Sequence, residues 1–170
     1  MCLRVPPERL HAGQPQELPS TAVGGRCAPE AAADGSLHVL VAEDNVVNQR
    51  VAELMLVRLG HHVDIVSNGV AAVEAVLAEP YDVVLMDVEM PRMDGLAASR
   101  AIVSQLDRAQ RPYLIALTAH ADRASCLAAG LDNYLSKPVR RADLAAMLAQ
   151  ASVTVDGRRD PRGERTTSQP

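Results

Sequence analysis

The chain has 170 residues, 48% of them hydrophobic, which suits one domain with a sizeable core. With no Trp, no Phe and three Tyr, that core is aliphatic. A formal charge of −4 gives no reason to expect nucleic acid or an anionic membrane as a partner, and no stretch approaches the ~20 apolar residues that cross a bilayer.

The opening MCLRVPPERL has no apolar segment of the kind a secretory signal needs. Cys2, Cys27 and Cys126 are odd in number and lack metal-ligand spacing. They read as reduced thiols of a cytoplasmic protein. Residues 1–36 carry Pro6, Pro7, Pro15, Pro19 and Pro29 without periodicity, the composition of a disordered leader or linker.

Regular structure begins at Leu37–Ala42, a short apolar strand ending in Glu43-Asp44-Asn45. From Asn45 to Leu59 the pattern is helical, with Val47, Val51, Leu54, Met55 and Leu59 on or near one face, and Gly60 as a stop. His62–Val66 alternates as a second strand, and Ser67-Asn68-Gly69 turns into a short helix over Val70–Leu77. Asp82–Asp87 is a third strand, ending abruptly in a carboxylate. Glu89, Pro91 and the Asp94-Gly95 turn follow, and a helix runs from there to about Leu106. Tyr113–Thr118 is a fourth strand, Ala124–Ala129 a short helix stopped by Gly130, and Asn133–Ser136 a fifth strand ending at Lys137-Pro138. Arg140–Ala151 is the last helix, with Leu144, Met147 and Leu148 inward. The polar residues 153–170 read as a disordered tail, leaving 37–152 as the folded domain.

Five strands alternating with five helices imply a parallel sheet with helices on both faces. Near-continuous apolar strands suit a sheet buried on both sides. Right-handed crossovers then lead to a doubly wound, flavodoxin-like α/β order of 2-1-3-4-5.

All strands of such a sheet end along one edge, where ligands bind. Strand 1 brings Glu43 and Asp44 to that edge, strand 3 Asp87, strand 4 Thr118 with the amides of Ala119 and His120, and strand 5 Lys137. Three carboxylates together repel one another. A hard divalent cation such as Mg²⁺ relieves that repulsion through oxygen ligands. Acids, an ammonium, a hydroxyl and backbone amides form a cradle for a phosphoryl group, with a carboxylate able to serve as the nucleophile. Lys137 is the single lysine among seventeen basic residues, a candidate for a place where a compact ammonium is needed. The plainer readings are also open at this level. Glu43-Asp44 can complement a helix dipole, Thr118 can satisfy a strand end, Tyr134 can be core, His120 can be an exposed loop histidine, and His61 and His62 lack partner ligands in the sequence.

AEDN (42–45), LMDVEMPRMDG (85–95), ALTA (116–119) and YLSKP (134–138) resemble the receiver domain of two-component response regulators. The resemblance covers roughly Leu37 to Gln150. With the Asn48-Gln49 pair, it is greatest to receivers of hybrid sensor histidine kinases. It implies that Asp87 accepts a phosphoryl group from a histidine kinase or a histidine phosphotransfer domain. It implies Mg²⁺ on Asp44, Asp87 and the backbone carbonyl of Glu89, supported by Glu43. It gives Lys137 the resting charge of Asp87 and the phosphoryl oxygens as partners, Thr118 and the Ala119 amide as phosphoryl contacts, and Tyr134 as a switch aromatic. It also implies a cis bond before Pro138, which proline permits. Such a module catalyses its own phosphorylation and dephosphorylation but acts in signalling, alone or as part of a hybrid kinase. It needs no direct nucleic-acid contact and no membrane insertion, and it says nothing of oligomeric state. The alternatives are a docking scaffold that is never phosphorylated and an aspartyl-phosphate phosphatase, for which Glu89 stands where a second Asp is usual. No glycine-rich nucleotide-binding turn is present. The chain departs from the family between Thr118 and Gly130, where AHADRASCLAA is short, so that either the fourth helix or the loop before it is reduced.

Overall fold

The computed structural model describes residues 35–119 and 123–159, with side chains to residue 157. The leader with Cys2 and Cys27, His120, and residues 160–170 lie outside the described residues. The elements alternate as β1 His38–Ala42, α1 Val46–Arg58, β2 His62–Val66, α2 Gly69–Ala78, β3 Val83–Asp87, α3 Gly95–Gln105, β4 Tyr113–Thr118, α4 Arg123–Ala128, β5 Asn133–Ser136 and α5 Arg141–Arg159. All strand pairs are parallel and the sheet order is β2-β1-β3-β4-β5. This is the flavodoxin-like α/β arrangement that the alternation predicts.

Successive strand residues point to opposite faces, and the core divides accordingly. Leu40, Val84, Met86 and Leu114 meet Val76 of α2, Ile102 of α3 and Cys126 of α4. Val39, Val41, Leu85, Ile115 and Leu117 meet Leu56 of α1 and Leu144, Leu148, Ala151 and Val155 of α5. Three helices begin at side-chain caps. Asn45 accepts from the Val47 amide at 2.9 Å, Asn68 from Ala71 at 2.9 Å and Asp94 from Ala97 at 2.6 Å. Each cap satisfies a helix N–H that has no partner within the helix.

Two expectations need correction. The sequence ends the last helix at Ala151, yet α5 continues to Arg159. Val155 is the reason, because it extends the helical stripe of Leu144, Leu148 and Ala151 and is buried. One apolar residue at the right spacing outweighs its polar neighbours, so residues 153–159 are not a disordered tail. In α1 the apolar residues do not share one face. Ala52, Met55, Leu56 and Leu59 pack inward, while Val47, Val51 and Leu54 are exposed. A helix with two apolar stripes can lay only one of them on the sheet.

The fourth helix is six residues long and still buries Cys126.

Candidate functional site

The parallel register brings the strand ends level. Ala42 pairs with Met86, Asp87 with Leu117 and Thr118 with Ser136. The residues just past these pairs therefore meet at one edge. Glu43 and Asp87 are 2% and 3% exposed, while Asp44 is open to solvent.

Lys137 crosses the edge to reach both buried acids. Its Nζ donates to Asp87 Oδ2 at 2.7 Å and to Glu43 Oε2 at 2.8 Å. Burial alone would lower the Lys137 pKa, but the hydrogen bonds to Asp87 and Glu43 outweigh it and raise the ammonium above its ordinary range. Asp87 is raised, first by burial and then by the nearby Glu43 charge, against the opposing hydrogen bonds from Lys137 and the Glu89 amide. One cation shared by two buried carboxylates leaves the site short of positive charge.

The loop after β3 is shaped to display Asp87. The Glu89 amide donates to Asp87 Oδ1 at 3.2 Å, a turn that carboxylates favour. Gly95 donates to the Val88 carbonyl at 3.0 Å and closes the loop. A Cβ at Gly95 would lie 2.1 Å from the Asp87 carbonyl oxygen, so only glycine fits. Arg92, between these points, has φ 70, a left-handed conformation uncommon outside glycine.

Thr118 is buried at the end of β4 and its carbonyl accepts from the Lys137 amide at 2.8 Å. Ala119 is exposed beside it. The Lys137-Pro138 bond is cis. Tyr134 pairs with Ala116, two positions before Thr118, and is half-buried against the α2–α4 side of the core. It also lines a groove of about 470 Å³ with Leu135, Val139 and Met147.

Glu43, Asp44 and Asp87 each offer a carboxylate oxygen within 4.8 Å of the others. Three hard oxygen donors that are undersupplied with positive charge suit a divalent cation such as Mg²⁺. The sequence missed three supports of this cluster. Asn48 Nδ2 donates to Glu43 Oε1 at 2.8 Å, and Gln49 Nε2 donates to the Glu43 carbonyl at 2.7 Å. The Glu43 amide donates to Val66 at the end of β2 at 3.1 Å. The i+5 and i+6 spacing from Glu43 was the available signal for the first two.

The profile of the response regulator receiver domain matches residues 39–149. The chain belongs to that family. Among its relatives, this receiver is 40% identical over 123 residues to the aerobic respiration control sensor protein ArcB of Escherichia coli, covering 71% of this chain and 16% of ArcB. It is 42% identical over 115 residues to the sensor protein GacS of Pseudomonas syringae, covering 65% of this chain and 13% of GacS. The chain thus spans about a sixth of the length of these sensor proteins or less. Among solved structures, the receiver domain of the Pseudomonas aeruginosa sensor histidine kinase PA1611 is 41% identical. That match covers 69% of this chain and 98% of that one, with a TM-score of 0.64. That structure has a magnesium ion coordinated in its active site cleft. The resemblance to receivers of hybrid sensor kinases is therefore supported by the relatives. No helix among the described residues is long and apolar enough to cross a membrane.

Proposed function

We propose that this receiver accepts a phosphoryl group on Asp87 from a phosphohistidine of a kinase or phosphotransfer domain. The carrying observation is the nearly buried Asp87 carboxylate, held by Lys137 and flanked by Glu43 and Asp44. In the transfer, an Asp87 oxygen forms a bond to phosphorus as the P–N bond to the donor imidazole breaks. The imidazole leaves with the electron pair and takes up a proton. Lys137 follows the charge from the carboxylate to the phosphoryl oxygens, and Thr118 and the Ala119 amide donate to those oxygens. Glu43, Asp44, Asp87 and the Glu89 carbonyl would hold Mg²⁺. When bound, the cation neutralises charge on the transferring group. Tyr134, beside its groove, would report the change by turning inward.

The docking face for the donor follows from α1. Val46 and Val47 are 73% and 70% exposed, and Val51, Leu54 and Val57 continue the apolar surface next to the acids. An apolar helix face beside a phosphoacceptor suits a helical partner that carries the histidine.

The test is incubation with Mg²⁺ and acetyl phosphate. Wild-type chain should gain one phosphate, read by intact mass, and Asp87→Asn should gain none. Equal labelling of the variant would overturn the assignment.

A further inference from the structure

Asn48 has no role in the chemistry above, yet its side chain reaches the centre of the site. Its Nδ2 donates to Glu43 Oε1 at 2.8 Å. The other Glu43 oxygen, Oε2, accepts from Lys137 at 2.8 Å. The Asn45 amide is a longer donor to Oε1, at 3.4 Å. Asn48 does not spend its side chain on capping its own helix, since Asn45 already accepts from the first-turn amides of Val47 and Asn48.

The terminal torsion of a glutamate is broad, so its two oxygens become distinct only when separate donors hold them. Asn48 holds Oε1 and leaves Oε2 for Lys137. Lys137 in turn holds Asp87 Oδ2 at 2.7 Å. The orientation of Glu43 thus decides how one ammonium is divided between two buried acids. A carboxylate already held in place also loses less freedom when a cation arrives.

We propose that Asn48 is a positioning residue. Its amide holds Glu43 in the orientation that shares Lys137 with Asp87, and so sets the affinity of the acid cluster for a divalent cation. This rests on the reading of the cluster as the cation site of a phosphoacceptor.

The test uses the full chain and Mg²⁺ alone, without a phosphodonor. Binding is followed by the NMR shifts of the Asp87 and Lys137 amides. Asn48→Leu keeps the size and removes the donor. It should weaken Mg²⁺ binding roughly three- to tenfold, the scale of an ordinary net hydrogen bond. The melting temperature without Mg²⁺ should stay within a few degrees. Asn48→Ala should weaken binding to the same extent. In a Glu43→Ala background, Asn48→Leu should change nothing further. Unchanged affinity, or an equal loss in both backgrounds, would overturn the role of Asn48. If Glu43→Ala and Asp87→Asn themselves bind Mg²⁺ like the parent, the cluster is not the cation site and the phosphoacceptor reading fails instead.

Discussion

Lys137 and Glu43 form an ion pair of 2.8 Å across 94 positions of chain. The same ammonium reaches Asp87 at 2.7 Å. The resemblance to receivers anticipates the second contact, while the first depends on how the strand ends meet. Lys137 thus sets one positive charge between two buried acids.

Removing that charge should be costly in a way that a cation can repair. Lys137→Met leaves Glu43 and Asp87 buried and facing each other. Without divalent cations the variant should lose about 1–3 kcal/mol in urea unfolding. Mg²⁺ should raise its midpoint more than that of the wild type, because the cation replaces the missing charge. Equal responses would show that ammonium and cation do not share a role.

Gly95 carries the shape of the phosphoacceptor loop. Gly95→Ala places a Cβ 2.1 Å from the Asp87 carbonyl oxygen, and the backbone must move. A loss of about 3 kcal/mol is expected in chemical unfolding. Gly157, where a Cβ meets nothing within 4 Å, is the control. Gly157→Ala in α5 should stabilise by up to about 1 kcal/mol.

His61 predicts an acid-sensitive junction. Its Nδ1 accepts the Leu37 amide at 3.1 Å, just before β1. Burial, then the neighbouring His62 charge, lower its pKa from the ordinary 6.5. A lowered histidine is destabilised when it protonates. Its stabilisation is complete above 6.5, the unfolded value, and is lost as pH falls through the lower folded value. The wild type should therefore lose melting temperature more steeply below pH 6.5 than His61→Asn, which keeps an acceptor and does not titrate. Parallel curves for the two chains would remove His61 from the explanation.

The end of α5 predicts a cost for shortening. A chain ending at Ser152 loses the buried Val155 contact. It should be less stable by about 2 kcal/mol, from lost apolar burial. Val155→Thr, similar in size, should lose part of this. A truncated chain as stable as the parent would make the extension unimportant to the core.

Local pattern made most of the architecture legible. Strand and helix periods, the glycine stops and the Ser67-Asn68-Gly69 and Asp94-Gly95 turns depend on residues a few positions apart. Parallel strands share one edge, so Glu43, Asp44, Asp87 and Lys137 could be gathered from their places at strand ends. The sequence by itself determined the β2-β1-β3-β4-β5 sheet and the residue types at its functional edge, because both follow from short-range pattern and chain direction. Only the tertiary structure decided which stripe of α1 lies on the sheet, that Val155 prolongs α5, and that Gly69 must be small because a Cβ would lie 2.6 Å from the Met93 carbonyl. Only it joined Asn48 and Lys137 through the two oxygens of Glu43. Those outcomes depend on distances between side chains far apart in the chain, which packing sets and local pattern does not encode.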